Sequence, residues 1–306
     1  MSARLAGKGV ALAAFGALVL TPDAMLMRLS GMEGVQMLAW RSTLMGSVLI
    51  AAWAVSRAGE WQSDLAALWT LGGLAIALCQ GINGMLFTFG IAGSPATPVL
   101  LGVATVPVIS ALLAWLLMGE ATGRATWLTI AVVLAGIALA VLGKAEAGAP
   151  WDAAALRGAL YGLGVAVCLA ISFVLIRKHA TVPILPSVGL GALGAGALGI
   201  VLTGPSQMVG EASLWPIFVT GAVVLPVSFY CLSLASRHTA AANVSLLLLL
   251  ETVLGPLWVW LGIGEAPTPM MLGGGVIVVA ALAVYLMRAR VTEGRRKRSA
   301  SAPPLP

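Results

Sequence analysis

Three ionisable side chains lie inside long apolar stretches of this sequence. Glu251 directly follows the run Leu246 to Leu250, Arg41 lies about a third of the way into another apolar stretch, and Asp23 follows Pro22 near the end of the first one. A charged group at the centre of a bilayer costs roughly 2.5–3.5 kcal/mol on insertion scales, so it usually faces a cavity or a partner. We therefore treat these three residues as candidate substrate-binding residues.

Each of the three has a functional and a structural interpretation. The planar guanidinium of Arg41 suits a substrate carboxylate or phosphate, or a fixed ion pair with Glu251 that holds helices together. Glu251 lines a substrate path or hydrogen-bonds to neighbouring helices. Asp23 binds a substrate amine or a proton, or it is simply hydrated near the interface. The sequence leaves these alternatives open.

Uncharged polar and aromatic residues in the apolar stretches form a second group of candidates. They are Trp40, Gln80, Asn83, Tyr230 and Asn243. Gln80 and Asn83 are three residues apart and share one face of a helix. Such side chains either orient a ligand or make inter-helix hydrogen bonds of about 0.6 kcal/mol.

Four prolines also fall inside apolar stretches and are candidate hinge or packing positions. They are Pro98, Pro107, Pro226 and Pro256. A proline inside a helix frees a backbone carbonyl and permits a kink. Membrane helices also tolerate proline without a functional reason.

The motifs of several enzyme classes are missing from the chain. The only histidines, His179 and His238, lie near predicted helix ends, without a His-Glu-x-x-His sequence. The cysteines have no metal-like spacing, and no phosphate-binding loop for ATP is present. We therefore predict a protein that is not an enzyme and that uses no cofactor and no metal.

The composition indicates a membrane protein. Hydrophobic residues make up 60% of the 306 residues and charged residues only 9%, whereas soluble domains contain roughly a quarter charged residues. The net charge of +6 comes from scattered loop residues and the tail from Arg288 to Arg298, so it does not indicate nucleic-acid binding. The partners that we expect are a small-molecule substrate and membrane lipid.

Ten apolar segments approach the length of about 20 residues that a spanning helix needs. They cover residues 9–28, 34–55, 66–89, 95–117, 125–142, 158–176, 184–202, 214–234, 239–261 and 268–287. With a cytoplasmic amino terminus, most basic loop residues lie inside, and only Arg28, Lys144 and Arg157 lie outside. We predict an inner (plasma) membrane protein with both termini in the cytoplasm.

The chain contains an internal repeat. A shift of 145 residues aligns Ser94–Gly143 with Thr239–Arg288 and places Gly119-Glu120 on Gly264-Glu265. We therefore predict a first five-helix repeat at 9–142, a linking loop at 143–157, a second repeat at 158–287 and a disordered basic cytoplasmic tail at 288–306. Because five is odd, the repeats are inverted in the membrane, an arrangement typical of alternating access.

These features resemble the drug/metabolite transporter superfamily and, within it, the EamA-type carriers. The residues that carry the resemblance are Trp40-Arg41, the stretch Ala96–Glu120 with Pro107, and its counterpart Ala240–Glu265 with Glu251 and Pro256. The resemblance covers about Gly9 to Met287. It implies an all-α fold of ten transmembrane helices around a central cavity, to which helices three, four, eight and nine contribute.

The resemblance favours an exporter of amino acids or related metabolites. Uptake of a metabolite or vitamin-like compound, an intramembrane enzyme and a channel are the alternatives. Proton coupling through Glu251 or Asp23 stays open, as does the choice between a monomer and a homodimer.

Overall fold

The computed structural model describes residues 3–94, 96–145, 153–204, 208, 213–264 and 269–300. In these ranges every regular element is a helix. Large apolar side chains such as Leu116, Val201 and Leu261 stand on the outside of the bundle, as expected for a surface that faces lipid. The predicted class, an all-α membrane protein, is confirmed.

The elements of the first half follow the predicted segments with two additional breaks. They are α1 (Ala3–Leu20), α2 (Asp23–Ser30), α3 (Gly34–Ser56), α4 (Trp61–Leu68), α5 (Leu71–Gly93), α6 (Ala96–Val103), α7 (Val106–Met118) and α8 (Arg124–Ala145).

The second half contains a similar series of elements. They are α9 (Ala153–Lys178), α10 (Ile184–Thr203), α11 (Leu214–Val219), α12 (Leu225–His238), α13 (Ala241–Leu248), α14 (Leu250–Ile263) and α15 (Pro269–Ala300), with a π-helical turn at Thr220–Val224 between α11 and α12.

Among the described residues, eight helical stretches are long and apolar enough to cross a membrane. Two shorter apolar helices, Arg124–Leu139 and Leu272–Tyr285, occupy the positions of the fifth and tenth predicted segments. The number of ten crossings stays a prediction.

The breaks and ends of the helices repeat in the two halves. Ala104 and Thr105 separate α6 from α7, and Leu249 separates α13 from α14, which is the same place under the shift of 145 residues. Gly119 and Gly264 each end a helix with a left-handed backbone, at φ values of 68° and 83°. Glycine adopts this conformation without steric cost, which gives the repeated Gly-Glu pair a structural reason.

Prolines explain two of the interruptions in the α-helices. Pro107 has no N–H to donate to the carbonyl of Val103, and α6 ends at that residue. Pro226 likewise cannot bond to Ala222, which lies inside the π-helical turn. Pro98 lies in the first turn of α6, where no helical bond is lost. Pro256 lies inside α14, after the break at Leu249.

Helix packing pairs equivalent elements of the two halves. The most extensive contacts join α3 to α10 and α8 to α15, and α5 packs on α9 as α1 packs on α12. At the α3–α10 contact, Gly46 faces the backbone of Gly189 and Gly196 faces that of Thr43. Small residues allow helices in lipid to approach this closely, so that dispersion contacts replace the missing hydrophobic driving force.

Polar contacts fasten the ends of the bundle. The side chain of Arg177 at the end of α9 donates to both carboxylate oxygens of Glu120, at 2.7–3.1 Å, and to the carbonyl oxygen of Thr239 at 2.9 Å. Elsewhere, Arg57 and Trp53 donate to the Asp64 carboxylate. These hydrogen bonds hold the pKa of Asp64 below its ordinary value and keep α4 against the bundle.

Two predicted boundaries differ from the structure. The segment predicted at 66–89 begins only at Leu71, because Thr70 caps α5 by accepting a hydrogen bond from the Gly73 N–H. In the tail predicted as disordered, α15 continues to Ala300. This stretch is rich in Arg, Lys and Ala, which are strong helix formers; residues 301–306 lie outside the described part.

The close α3–α10 contact predicts the effect of one added methyl group. A Cβ on Gly46 would lie 2.7 Å from the carbonyl oxygen of Gly189, whereas one on Gly194 of α10 would meet no atom within 4 Å. We expect Gly46→Ala to destabilise the purified protein by about 1–3 kcal/mol through overpacking, measured as a lower unfolding temperature in detergent. Gly194→Ala is the matched control, and an equal effect of both changes would contradict this packing.

Candidate functional site

A cavity lies at the centre of the bundle, where helices from both halves meet. Its volume is about 60 Å³, room for a few molecules of water at about 10–15 Å³ each. Its polar walls are formed by Asp23, Arg41, Ser42, Gln80, Asn83 and Glu251. Five of the eight predicted substrate-binding residues therefore line one cavity.

A break in the first spanning segment places Asp23 at the cavity. Pro22 cannot donate to the carbonyl of Leu18, which accepts instead from the Thr21 hydroxyl at 2.8 Å. The same hydroxyl accepts a hydrogen bond from Trp258 Nε1 at 2.9 Å. A new helix, α2, begins at Asp23, and the positive end of a helix dipole favours a carboxylate in its first turn.

Glu251 occupies a similar local position in the second half. The break at Leu249 starts α14, and Glu251 lies in the first turn of that helix. Both acids of the cavity thus lie at the start of a half-helix inside the membrane. Discontinuous helices of this kind are typical of transporter binding sites, because their ends carry unpaired backbone groups and partial charges.

The carboxylate of Asp23 is held by two buried partners. A terminal nitrogen of Arg41 donates to one oxygen, and the Thr220 hydroxyl donates to the other. Asp23 and Arg41 are 1% and 7% exposed, so water screens this ion pair little. Arg41 therefore forms its ion pair with Asp23, and not with Glu251 as in the alternative considered from the sequence. The reason is that α2 places the Asp23 carboxylate beside the Arg41 guanidinium.

Two polar groups of the cavity have unused hydrogen-bonding capacity. Within the described part of the chain, Arg41 Nε and Asn83 Oδ1 are buried without a hydrogen-bond partner. The carboxylate of Glu251 lines the same cavity. Unsatisfied buried groups each cost about 1–3 kcal/mol, so a water molecule or a ligand that bonds to them recovers this free energy. The cavity offers one donor and two acceptors.

The remaining predicted residues lie away from the cavity walls. Trp40 Nε1 donates to the carbonyl oxygen of Met208 at 2.8 Å. Asn243 donates to the Thr239 hydroxyl at 3.1 Å, and Tyr230 is partly exposed on α12. A role for these three in substrate binding stays a prediction.

The structure adds three residues that the sequence analysis missed. The guanidinium carbon of Arg41 lies 5.7 Å from the centre of the Phe87 ring, and Ser42 and Thr220 contribute hydroxyl groups. Phe87 has the helical spacing of Gln80, Asn83 and Gly84 and was detectable from that periodicity. No sequence signal marks Thr220, since a hydroxyl in an apolar helix is common.

The chain resembles known membrane transporters over nearly its whole length. Residues 7–142 and 156–287 each match the EamA-like transporter family. A probable terminal-alkyne amino-acid exporter of Streptantibioticus cattleyicolor is 34% identical over 247 residues, which are 74% of this chain and 76% of the relative. An uncharacterized transporter of Bacillus subtilis, YdfC, is 27% identical over 261 residues, with 82% of each chain covered.

A solved crystal structure has the same fold. It superimposes with a TM-score of 0.74 at 20% sequence identity, and the match covers 93% of this chain and 98% of the other. At this identity the similarity concerns the fold alone.

The buried ion pair predicts a double-mutant cycle. Arg41→Gln or Asp23→Asn alone leaves one buried charge without its partner, which destabilises by about 3–5 kcal/mol. The double variant removes both charges, so we expect it to recover most of the unfolding temperature in detergent that either single variant loses. Glu60→Gln, which alters an exposed ion pair, is the control; strictly additive losses in the double variant would contradict the pair.

Proposed function

The chain belongs to the EamA-like transporter family, and we propose that it exports amino acids or closely related small metabolites by alternating access. Family membership and the apolar spans establish a multi-pass membrane transporter. Our proposal goes beyond this in three respects, which are the substrate class, the direction of transport and the location in the plasma membrane.

The observation that carries the substrate class is the set of unused groups in the cavity. Arg41 Nε is a cationic donor that suits a substrate carboxylate, and Asn83 Oδ1 and Glu251 are acceptors that suit an ammonium group. An α-amino acid carries both charged groups on one carbon atom. A zwitterion therefore satisfies groups that a purely cationic, anionic or apolar compound would leave unpaired.

Similarity supports the same class and the direction. The relative from Streptantibioticus cattleyicolor is named as a probable amino-acid exporter. Its aligned region covers 74% of this chain and 76% of the relative. Export is therefore our first proposal, and uptake is the alternative.

Alternating access is supported by the repeated features of the two halves. The broken helices α6–α7 and α13–α14 reach the centre from the two repeats, and equivalent helices pack in pairs. Two similar halves with opposite orientations can exchange their conformations and open the cavity to each side in turn.

The substrate class predicts a result in liposomes that contain the purified protein. We expect saturable counterflow of 2-aminobutyric acid, and a rate lower by about tenfold or more for its N-acetyl and methyl-ester derivatives, because each derivative leaves a buried polar group unpaired. Non-saturable flux would indicate a pore instead, and an unchanged rate for the derivatives would contradict a site for zwitterions.

In the same assay, Glu251→Gln should lower the rate by about tenfold or more, since hydrogen bonds to charged groups contribute about 1.5–3 kcal/mol. Glu60→Gln changes an exposed residue just before α4 that does not line the cavity, and it should leave the rate unchanged. A Glu251→Gln protein that inserts normally and transports at the original rate would exclude this carboxylate from the mechanism.

The inverted arrangement predicts the membrane sidedness of two regions. Reporter fusions after the linking loop at 143–157 and after the last residue should report opposite sides, with the carboxyl end in the cytoplasm. Both reporters on one side would contradict two inverted five-helix repeats.

A further inference from the structure

Thr220 is bonded to a residue of the cavity wall without contributing to that wall. It begins the π-helical turn Thr220–Val224 in the second half of the chain, and it is fully buried. Its hydroxyl donates to Oδ1 of Asp23, which belongs to the first half. Thr220 is not among the described residues that line the cavity, so its hydroxyl acts on a substrate only through another residue.

The π-helical turn packs against the helix that carries Arg41. A Cβ on Gly221 would lie 2.9 Å from the Cβ of Leu44 and 3.1 Å from the carbonyl oxygen of Arg41, so only glycine lets the turn approach α3 this closely. The N–H of Leu225 donates to the carbonyl oxygen of Thr220, which is the i→i+5 bond of a π-helix. Two adjacent residues of this turn therefore contact the acid of α2 and the backbone of α3.

The ion pair of Asp23 and Arg41 uses only part of what an arginine offers to a carboxylate. In a side-on bidentate pair, Nε and Nη2 of the arginine donate in parallel to the two carboxylate oxygens. Here Nη2 donates to Oδ2, whereas Oδ1 accepts from the Thr220 hydroxyl. Arg41 Nε is buried without a hydrogen-bond partner. The oxygen that would complete the bidentate pair is therefore held by Thr220.

The unpaired Nε of Arg41 matters for a ligand in the cavity, which Arg41 lines. The guanidinium is already held by Asp23, and its central carbon lies 5.7 Å from the centre of the Phe87 ring. A donor that is fixed and unpaired can bind a carboxylate without first breaking another bond. A bidentate pair with Asp23 would use this donor, and a substrate carboxylate would then have to disrupt a buried ion pair.

We propose that Thr220 is a positioning residue for substrate recognition, because its hydroxyl holds one oxygen of Asp23 and thereby keeps Arg41 Nε free for the carboxylate of the substrate. This inference rests on the proposed function and explains one part of its specificity, the preference for a free carboxylate. A residue of the second half thus sets the binding properties of an arginine of the first half.

The proposal is tested by the preference of the protein for a carboxylate over an amide of the same shape. The probes are 2-aminobutyric acid and 2-aminobutanamide, in which a neutral amide replaces the carboxylate. In liposomes that contain the full-length protein, each unlabelled probe is titrated against the counterflow of radiolabelled 2-aminobutyric acid. The two concentrations that halve the counterflow give the ratio of affinities.

Two substitutions separate the hydroxyl of Thr220 from its shape. Thr220→Val removes the hydroxyl and keeps a β-branched side chain, whereas Thr220→Ser keeps the hydroxyl. Thr220→Ala is a second variant without the hydroxyl, with a side chain small enough to avoid overpacking. It gives the same test where the valine variant does not insert.

We expect the unmodified protein to prefer the acid by about tenfold or more, since a charged acceptor strengthens the hydrogen bond from Arg41. In Thr220→Val the preference should fall to about threefold or less, because Oδ1 of Asp23 loses its donor and accepts from Nε instead. Thr220→Ser should keep the preference of the unmodified protein. A loss of stability alone lowers both affinities together and leaves their ratio unchanged.

Ser228→Ala is the matched control. Ser228 is another fully buried hydroxyl residue of the second half, and it donates to the carbonyl oxygen of Gly16 in the first half at 2.7 Å. It lies on α12 and is not among the described residues of the cavity wall. Its substitution should lower the unfolding temperature in detergent without changing the ratio.

Two outcomes overturn the inference and leave the proposed function intact. An unchanged preference in Thr220→Val or Thr220→Ala means that Thr220 only holds helices together. A loss of preference in Thr220→Ser or Ser228→Ala means that packing, and not the hydroxyl on Asp23, decides the ratio. Equal inhibition of the unmodified protein by both probes, or by neither, removes the proposed site for zwitterions together with this inference.

Discussion

In a bilayer, every polar group of the chain must find its partner within the protein, because the hydrocarbon offers none. The pair of Asp23 and Arg41 is the clearest consequence of this constraint here. Pro22 interrupts a spanning helix, and the interruption places the carboxylate of Asp23 in the membrane. This carboxylate needs buried donors, which are the guanidinium of Arg41 on α3 and the hydroxyl of Thr220. These two contacts fix α2, α3 and the π-helical turn relative to one another.

The same constraint also brings the polar groups of the membrane-spanning helices together at one cavity. A terminal nitrogen of Arg41 donates to Asp23, whereas its Nε has no hydrogen-bond partner. Arg41 lines a cavity in which Asn83 and Glu251 offer acceptors. Around this centre, glycines bring the backbones of α3 and α10 into contact, and dispersion forces between small residues replace hydrophobic association. The polar centre is therefore surrounded by close helix contacts that dispersion forces, and not charged groups, stabilise.

The sequence indicated which charged residues meet at the cavity where the energetic signal was large, and their role in substrate binding stays a prediction. A buried charge is expensive enough that Asp23, Arg41 and Glu251 could be identified without a structure, and all three line the cavity. Trp40, Tyr230 and Asn243 were chosen by residue type, which does not say which face of a helix looks inward, and they lie elsewhere. The partner of Arg41 was not predictable, because local spacing does not determine which distant helix supplies the nearest carboxylate.

A comparison of equivalent positions in the two halves separates the features of the helix scaffold from those of the cavity. Under the shift of 145 residues Glu251 corresponds to Val106. A second alignment, with a different offset, sets Gly7–Arg28 beside Gly158–His179, where each helix ends in basic residues, and it places Asp23 on Val174. Both valines are fully buried. The break between α6 and α7 recurs between α13 and α14, and both halves have the glycine caps, whereas the two acids of the cavity have no acidic counterpart in the other half. In the alternating-access cycle that we propose, a symmetric scaffold makes the two open conformations similar in energy, and an asymmetric site lets a substrate interact differently with each half. On that proposal, duplication supplies the motion, and the residues in which the halves differ supply the specificity.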